Sequence, residues 1–542
     1  MDRTQSILRK AFFLLFSFLF TWTCYHVIFV SLPIRMLWRK HLFIFPPLIL
    51  FLVIVACIFL FFVFRKISSL KNLTEKNGQL ILIGFMAVST IISITIGLML
   101  RYEPIWDLGA IYNGGVEWAL TGDFPSYHIY FARNPNNIPT LFLFRCIFVV
   151  FDFFGGKDHF AAMVVFAVLL IQVSVYAAYD TVRRLLDIRA AIMALLIIAI
   201  YLPVYTMGAA FYTDVLSLPF ITLALNLYLR LKTTESFKHK LILVVLFGLL
   251  IGFGTILKTT VLIIFIACLI DWTVNNKNWK FANIKSNALL IGAATLIIAV
   301  IMISSTLYSE SLISDELSYE YRLPTTHFIL LGLDKDSGGT YSWDTTAKLY
   351  INLENVDVRT AEIKNMIIHR INDFGFFGLI RHFGIKLGLA FESGAFEQAW
   401  HFGANHVVWI FGRGAEPTYR SVLHEVVLPT GILHPVYNHL TTALMLAMLI
   451  FAIASALIRS LARPFKLLDY QFCAPWVAFI GLAFFLMISE TGNRFPLGFF
   501  SLLIICTVQG LYDTRLFLES RKKEKSKSET NNVSLKNESD SF

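Results

Sequence analysis

The chain has 542 residues, 57% apolar and only 15% charged, with a formal net charge of +10. That balance excludes a soluble multidomain protein and fits an integral membrane protein of many spans. The positive excess lies in short clusters between apolar runs and at the C-terminus, so it reports membrane orientation and anionic lipid and gives no reason to expect nucleic-acid binding.

In chain order, apolar runs predict spans near residues 11–31, 42–64, 80–100, 160–180, 190–208, 216–230, 241–257, 259–272, 287–307, 436–459, 470–489 and 495–514. About 20 residues at roughly 1.5 Å each cover the ~30 Å of hydrocarbon, and long unbroken runs select helices over barrel strands. The expected architecture is therefore an all-α polytopic membrane protein of about 12 spans. The two short runs bracketing Lys258 read as a hairpin through the bilayer, because that keeps the later loops on consistent sides.

Basic clusters set the orientation. Arg183-Arg184, Lys232 with Lys238 and Lys240, Lys277 with Lys280 and Lys285, Arg459 with Arg463 and Lys466, and Arg521-Lys522-Lys523 fall on one side, which should be the cytoplasm. The segment around Asp107, the turn Phe211-Tyr212-Thr213-Asp214, the stretch 308–434 and Glu490 to Arg494 then share the opposite face. The first two runs conflict with this pattern: Arg35, Arg39 and Lys40 would lie outside, which leaves an interfacial or re-entrant early segment open. No small-residue cleavage site follows residue 30, so a removable signal peptide is not expected.

The expected division is 1–79 as N-terminal hydrophobic segments with a basic loop and 80–307 as a membrane core with its first outer loop at 101–158. An outer region at 308–434, final spans at 435–514 and a disordered basic tail at 515–542 complete it. Cys24, Cys57, Cys146, Cys268, Cys473 and Cys506 stand singly in or near apolar segments and suggest packing, with no metal-ligand or disulfide spacing.

The first outer loop opens on Tyr102-Glu103-Pro104-Ile105-Trp106-Asp107, directly after the third run. Ionised groups at a bilayer centre cost about 2.5–3.5 kcal/mol or more, so carboxylates gathered at a span end face water and substrate. Gly114-Gly115, Gly122, Pro125 and Pro135 then punctuate a series of juxtamembrane helices, with Tyr127, Tyr130 and Phe131 suited to headgroup depth. The stretch 138–151 is short and close to Pro135 and Pro139, and reads as a half-buried helix.

Tyr102 followed by Trp106-Asp107, then Tyr130-Phe131-Ala132-Arg133-Asn134-Pro135-Asn136-Asn137, resembles membrane glycosyltransferases of the GT-C superfamily. Asp214 in Phe-Tyr-Thr-Asp-Val-Leu-Ser-Leu-Pro, Lys258 in Leu-Lys-Thr-Thr, Thr326-His327 leading into Ser337-Gly338-Gly339-Thr340-Tyr341, and Arg494-Phe495 after Glu490 extend the likeness over about residues 80–510. The bacterial polyprenyl-phosphate-sugar-dependent members, related to the protein mannosyltransferases and lipid A aminoarabinose transferases, are the most similar type. The sequence departs at Thr259, where such relatives often carry Pro, and at Phe495, where Tyr is usual. The resemblance implies a polyprenyl-phosphate-sugar donor, a glycan or glycolipid acceptor of the cell envelope, an inverting displacement on the outer face of a cell membrane, and no confident cofactor, a divalent metal being left open.

An acceptor hydroxyl needs a carboxylate to take its proton, for which Asp107 is the first candidate and Asp214 the second catalytic one, with Glu103 and Asp123 behind them. A departing lipid phosphate needs cations, Arg by a planar fork and Lys by a compact charge, and Arg494 and Lys258 are the candidates. Each has a structural alternative: Asp107 and Asp214 as helix caps, Arg494 as a snorkelling residue at a span boundary. Lys258 interrupts an apolar stretch where an ammonium is expensive, which favours function. Glu103, Tyr130, Arg133, Asn137 and His327 are possible substrate contacts, although Asn-Pro-Asn-Asn is first a turn signature.

His327, His369, His382, His401, His406, His424, His434 and His439 crowd the later chain without metal-ligand spacing, so no protein metal site is expected. Gly332, Gly338 and Gly339 around Asp334 and Asp336 suggest a flexible loop at the acceptor entrance, not a phosphate-cradling one. The rival functions are a transporter or flippase of lipid-linked sugars, which should show inverted repeats and paired intramembrane charges, and a polysaccharide polymerase or ligase. No internal repeat is visible, and the acidic first loop argues against the polymerase.

Overall fold

The computed structural model describes residues 3–31, 45–275, 281–351, 354–396, 421–428, 431–461 and 472–539, and among these every regular element is a helix. Helices are what apolar runs must form where no water can satisfy the backbone. They run between two ends of one bundle, a basic end and an end bearing the acidic loop.

Helix α1 (Arg3–His26) starts at the basic end, where Arg9 donates to Asn275 (3.3 Å), and finishes with the His26 ring packed against Gly384. Helix α2 (Pro46–Ser68) returns, and α3 (Glu75–Met99), capped by Thr74, goes back to the acidic end. Both early segments are therefore full traverses. Arg35, Arg39 and Lys40, whose charge conflicts with that arrangement, lie outside the described residues, as do Lys277, Lys280, His401, His406, Arg463 and Lys466.

Three helices then stay at the acidic end: α4 (Trp106–Thr121), α5 (His128–Arg133) and α6 (Ile138–Phe153). By length and composition α6 is apolar enough to cross a membrane. It does not traverse, because its N-cap Asn137 is bonded to Tyr130 and its last turn to His159, both at the same end of the bundle. This is the half-buried helix expected from the flanking prolines.

Helix α7 (His159–Leu185), capped by Asp158, descends to the basic end, and α8 (Ile188–Ile200) ascends before bending by 65° into α9 (Pro203–Thr206). A short α10 (Thr213–Leu216) leads into α11 (Leu218–Thr233), α12 (Phe237–Leu257) returns, and the chain reverses at Lys258 into α13 (Leu262–Asn275). The hairpin at Lys258 is thus present. Helix α14 (Phe281–Ser311) runs beside α12 and leads to α15 (Asp315–Tyr321), α16 (Thr326–Gly332), α17 (Trp343–Ile351), α18 (Val356–Ala390) and α19 (Val422–Val427). Helices α20 (His434–Leu461), α21 (Ala474–Ile488) and α22 (Phe500–Ser539) close the bundle.

Among the described residues ten helices, or eleven with the bent pair, are long and apolar enough to cross a membrane. Setting α6 aside and adding the short traverses containing α13 and α21 leaves the twelve passes the sequence predicts. The centre is α20 and α22, whose apolar windows are 72% and 89% buried, while α2, α3 and α14 bury 22%, 22% and 17% and present their side chains to lipid. Gly510 makes the central crossing possible, since a Cβ there would lie 1.9 Å from the Phe451 carbonyl oxygen. Where composition suggests a disordered tail after residue 514, α22 continues as helix to Ser539, supported in its exposed part by the Arg515–Glu519 pair at 2.8 Å.

Buried aspartates fasten the basic end. Asp180 accepts from Arg183 and Arg184 (2.7 Å each) and Arg230 (2.8 Å), Asp271 from Tyr228 and Lys232 (2.7 Å each), and Asp513 from Ser455 and Arg459 (2.6 Å each). These charge-assisted contacts stitch α7 to α11, α11 to α13 and α20 to α22.

Candidate functional site

Asp107 occupies the first turn of α4, next to Trp106, whose φ of +54° is left-handed backbone that a bulky residue adopts only under strain. Such strain costs on the order of 1–3 kcal/mol and collects where a side chain must be aimed. The N-cap is Ile105, so Asp107 is not a capping residue. Instead Tyr130 donates to its Oδ1 (2.7 Å) and Tyr212 to its Oδ2 at a longer 3.4 Å, while Asn137 donates to the Tyr130 hydroxyl (2.6 Å).

Two residues beyond Tyr212, Asp214 is buried in α10 and caps neither α10 nor α11, whose N-caps are Tyr212 and Ser217. Its Oδ1 pairs with the Lys258 ammonium, and the Arg494 Nε lies 3.9 Å from its Oδ2. Lys258 also sits 5.0 Å from the Phe495 ring centroid, and Arg494 5.3 Å from that of Tyr212. Two cations thus converge on one carboxylate, and Tyr212 ties them to Asp107. Burial opposes the Arg494 charge, but Asp214, Tyr212, Glu490 and Asp107 outweigh it and hold the guanidinium above its usual range.

The floor of this cluster is built by residues that were not among the site candidates. Glu490 follows α21, and its carboxyl is pushed up to about 7 by burial, with Arg494 pulling the other way. Lys386, fully buried in α18, donates to the carbonyls of Met487 (2.8 Å) and Ser489 (2.7 Å), and burial pulls its ammonium down to about 7. Glu490 stands four residues before Arg494 and Tyr212 two before Asp214, so both were within reach of the motifs. Lys386 carried no local signal, because its partners lie a hundred residues away.

The sign of the Glu490 effect makes a prediction. Between the ordinary value of 4.5 and about 7, the unfolded chain releases this proton while the folded chain keeps it, so rising pH across that window favours unfolding. Glu490→Gln removes the titration. The melting temperature of the wild type should fall relative to that of the variant from pH 4.5 to 7, and parallel curves would show that the carboxyl is not held neutral.

The remaining candidates divide. Tyr130 and Asn137 join the Asp107 network. Arg133 lies on the neighbouring wall, stacked 3.8 Å from the Tyr350 ring centroid. His327 is buried in α16 with its Nε2 3.5 Å from the Thr346 hydroxyl, and burial takes it down to about 4, a neutral ring. Glu103 is exposed and forms no hydrogen bond or ion pair among the described residues. Burial raises the Tyr341 phenol, and Asp107 and Glu490 add to the rise.

The glycine-rich loop is fastened, not free. Asp334 accepts from the Asp336 and Ser337 amides (3.1 and 3.0 Å) and from Thr345 (2.6 Å), and the Thr491 amide donates to the Gly339 carbonyl (2.8 Å). At Gly332 a Cβ would meet the Ser489 backbone at 2.6 Å, so glycine is needed for the two loops to touch.

The described histidines take separate structural partners, such as Gly332 for His382, Ser421 for His424 and Val426 for His434. Among the described residues no three His, Cys, Asp or Glu side chains converge in a set that could hold a metal. Asp214 is already matched by two cations, so these residues do not fit a protein-held divalent ion.

A helical bundle with one polar cluster sunk into its end defines a polytopic membrane protein with a candidate site at one end. From residue 2 to residue 511 the sequence matches the family described as "Conserved hypothetical integral membrane protein", and the chain belongs to that family. No curated protein matches it. Among solved structures, it is similar to the archaeal oligosaccharyltransferase AglB from Archaeoglobus fulgidus in complex with an inhibitory peptide and a dolichol-phosphate, at 13% identity and a TM-score of 0.37, over 82% of this chain and 51% of that one. It is also similar to ArnT from Cupriavidus metallidurans bound to undecaprenyl phosphate, at 14% identity and a TM-score of 0.33, over 80% of this chain and 77% of that one. This chain thus spans about half the length of the first, and neither superposition is close enough to carry a function across.

Proposed function

We propose that this protein is a membrane glycosyltransferase of the GT-C kind that moves a sugar from a polyprenyl-phosphate donor to a hydroxyl of an envelope glycan or glycolipid. One observation carries the reading: a hydrogen-bonded carboxylate, Asp107, stands beside two half-buried cations, Lys258 and Arg494, that converge on the buried Asp214 carboxylate. Such a pair of cations suits a lipid phosphate.

In the reaction the acceptor oxygen attacks the anomeric carbon from the face opposite the phosphate and forms the new C–O bond. The old bond to the phosphate oxygen breaks, its electron pair leaves with the polyprenyl phosphate, and the configuration inverts. The acceptor proton passes to Asp107, whose Oδ2 carries only the longer of its two tyrosine contacts. Lys258 and Arg494 stabilise the leaving anion in a site of low dielectric. Basic residues gather at the opposite end of the bundle, which supports an outward-facing site in a cell membrane.

The test reconstitutes the full chain in liposomes with radiolabelled polyprenyl-monophosphate sugars and envelope acceptors. Label should pass to the acceptor with an equal amount of free polyprenyl phosphate. Intact donor appearing in the other leaflet makes the protein a transporter, and an unconsumed donor panel overturns the reading.

A further inference from the structure

We infer that the kink of α18 is a membrane anchor, its Phe376, Phe377 and Ile380 side chains inserted into the lipid surface at the site end of the bundle. The positive φ of Gly375 (+59°) breaks α18 into two arms at this point. Phe376 and Phe377 begin the second arm and are 74% and 82% exposed, with Ile380 at 42%, while Ile368 and Ile371 on the first arm are 60% and 42% exposed. So many large apolar side chains together on a polar outer region mark a contact surface.

The level of the patch identifies its occupant. About two turns further on, a Cβ at Gly384 would lie 2.4 Å from the His26 ring and 2.7 Å from that of Trp22, so the second arm abuts the last turn of α1. Beside that contact α1 and the turn after it leave Tyr25 and Phe29 53% and 51% exposed, at the end of a helix apolar enough to span. The exposed rings of the kink therefore continue the lipid-facing belt at the depth where a span ends, the place of an interfacial segment whose apolar side chains sink ~5–10 Å. Arg381, exposed beside Ile380, suits the headgroups.

The anchor has a mechanical partner in the site. On the same arm the His382 Nε2–H donates to the Gly332 carbonyl (2.9 Å), and Lys386 holds Met487 and Ser489, next to Glu490. Lipid at the kink thus restrains the helix that positions both site loops. The inference needs only that the bundle spans a membrane and does not rest on the proposed reaction.

The test places a nitroxide at Phe377→Cys in the full chain with Cys146→Ser, in liposomes of phosphatidylcholine and phosphatidylglycerol, with Asp373→Cys as the reference. At position 377 relaxation by oxygen should exceed relaxation by a water-soluble nickel chelate, and at 373 the order should reverse. Equal chelate access at both positions overturns the proposal. So does shielding from both reagents at 377, which would mean that protein covers the patch. A single labelled side chain at an exposed position leaves folding intact, and Phe377→Ser provides a second reading: faster backbone hydrogen exchange over 382–390 in liposomes, with no such change in detergent.

Discussion

Membranes carrying Asp107→Asn are expected to transfer sugar about 10²- to 10⁴-fold more slowly than wild type, the range a positioned base commonly contributes. Asparagine keeps an oxygen to accept from Tyr130 but cannot take the acceptor proton. The fold should hardly notice, since Ile105 is the α4 N-cap and Asp107 makes no buried ion pair. Initial rates across donor concentrations, with size-exclusion profiles of the same samples, separate the two effects. Undiminished transfer by a folded variant would remove Asp107 as the base and turn attention to Glu490, the nearby carboxyl already held near neutrality.

Asp214→Asn should act through stability as well as chemistry. The substitution leaves the half-buried Lys258 and Arg494 without the carboxylate between them; breaking a fully buried pair costs about 3–5 kcal/mol, and the partial exposure of Arg494 keeps the loss below that. Unfolding in mixed micelles by titrated detergent would read the loss. Adding Lys258→Met removes one stranded cation and should recover most of the stability. Transfer should stay low in that double variant, because half of the phosphate-binding pair is gone. A single variant as stable as wild type would mean that Asp214 does not hold the pair together.

The helical plan was legible because each traverse needs a long apolar run, and few other structures can bury one. Even the exception at α6 was readable from Pro135 and Pro139. The first two segments were not, since the charge of Arg35, Arg39 and Lys40 argued one way while packing of α1 and α2 against the bundle fixed the other. In the site, carboxylates and cations interrupting apolar surroundings stood out, which is why Asp107, Asp214, Lys258 and Arg494 could be named together. Lys386 could not, because its relevance exists only once distant loops meet. The same blindness made the Gly338-Gly339 loop look flexible: the 489–491 backbone that pins it is not a neighbour in sequence. His327 was conspicuous as a residue type, yet its ring is enclosed beside Thr346.

The brevity of α21 has a topographic meaning. Its 15 residues rise only about 22 Å, some 8 Å less than the hydrocarbon they must match, and Glu490 follows immediately beyond them. The neighbouring traverse through α13 is nearly as short and begins at Lys258. Both polar residues therefore stand where the chain has risen less far than in longer traverses such as α20, a depth at which the head of an amphiphile could meet them while its tail remains in oil.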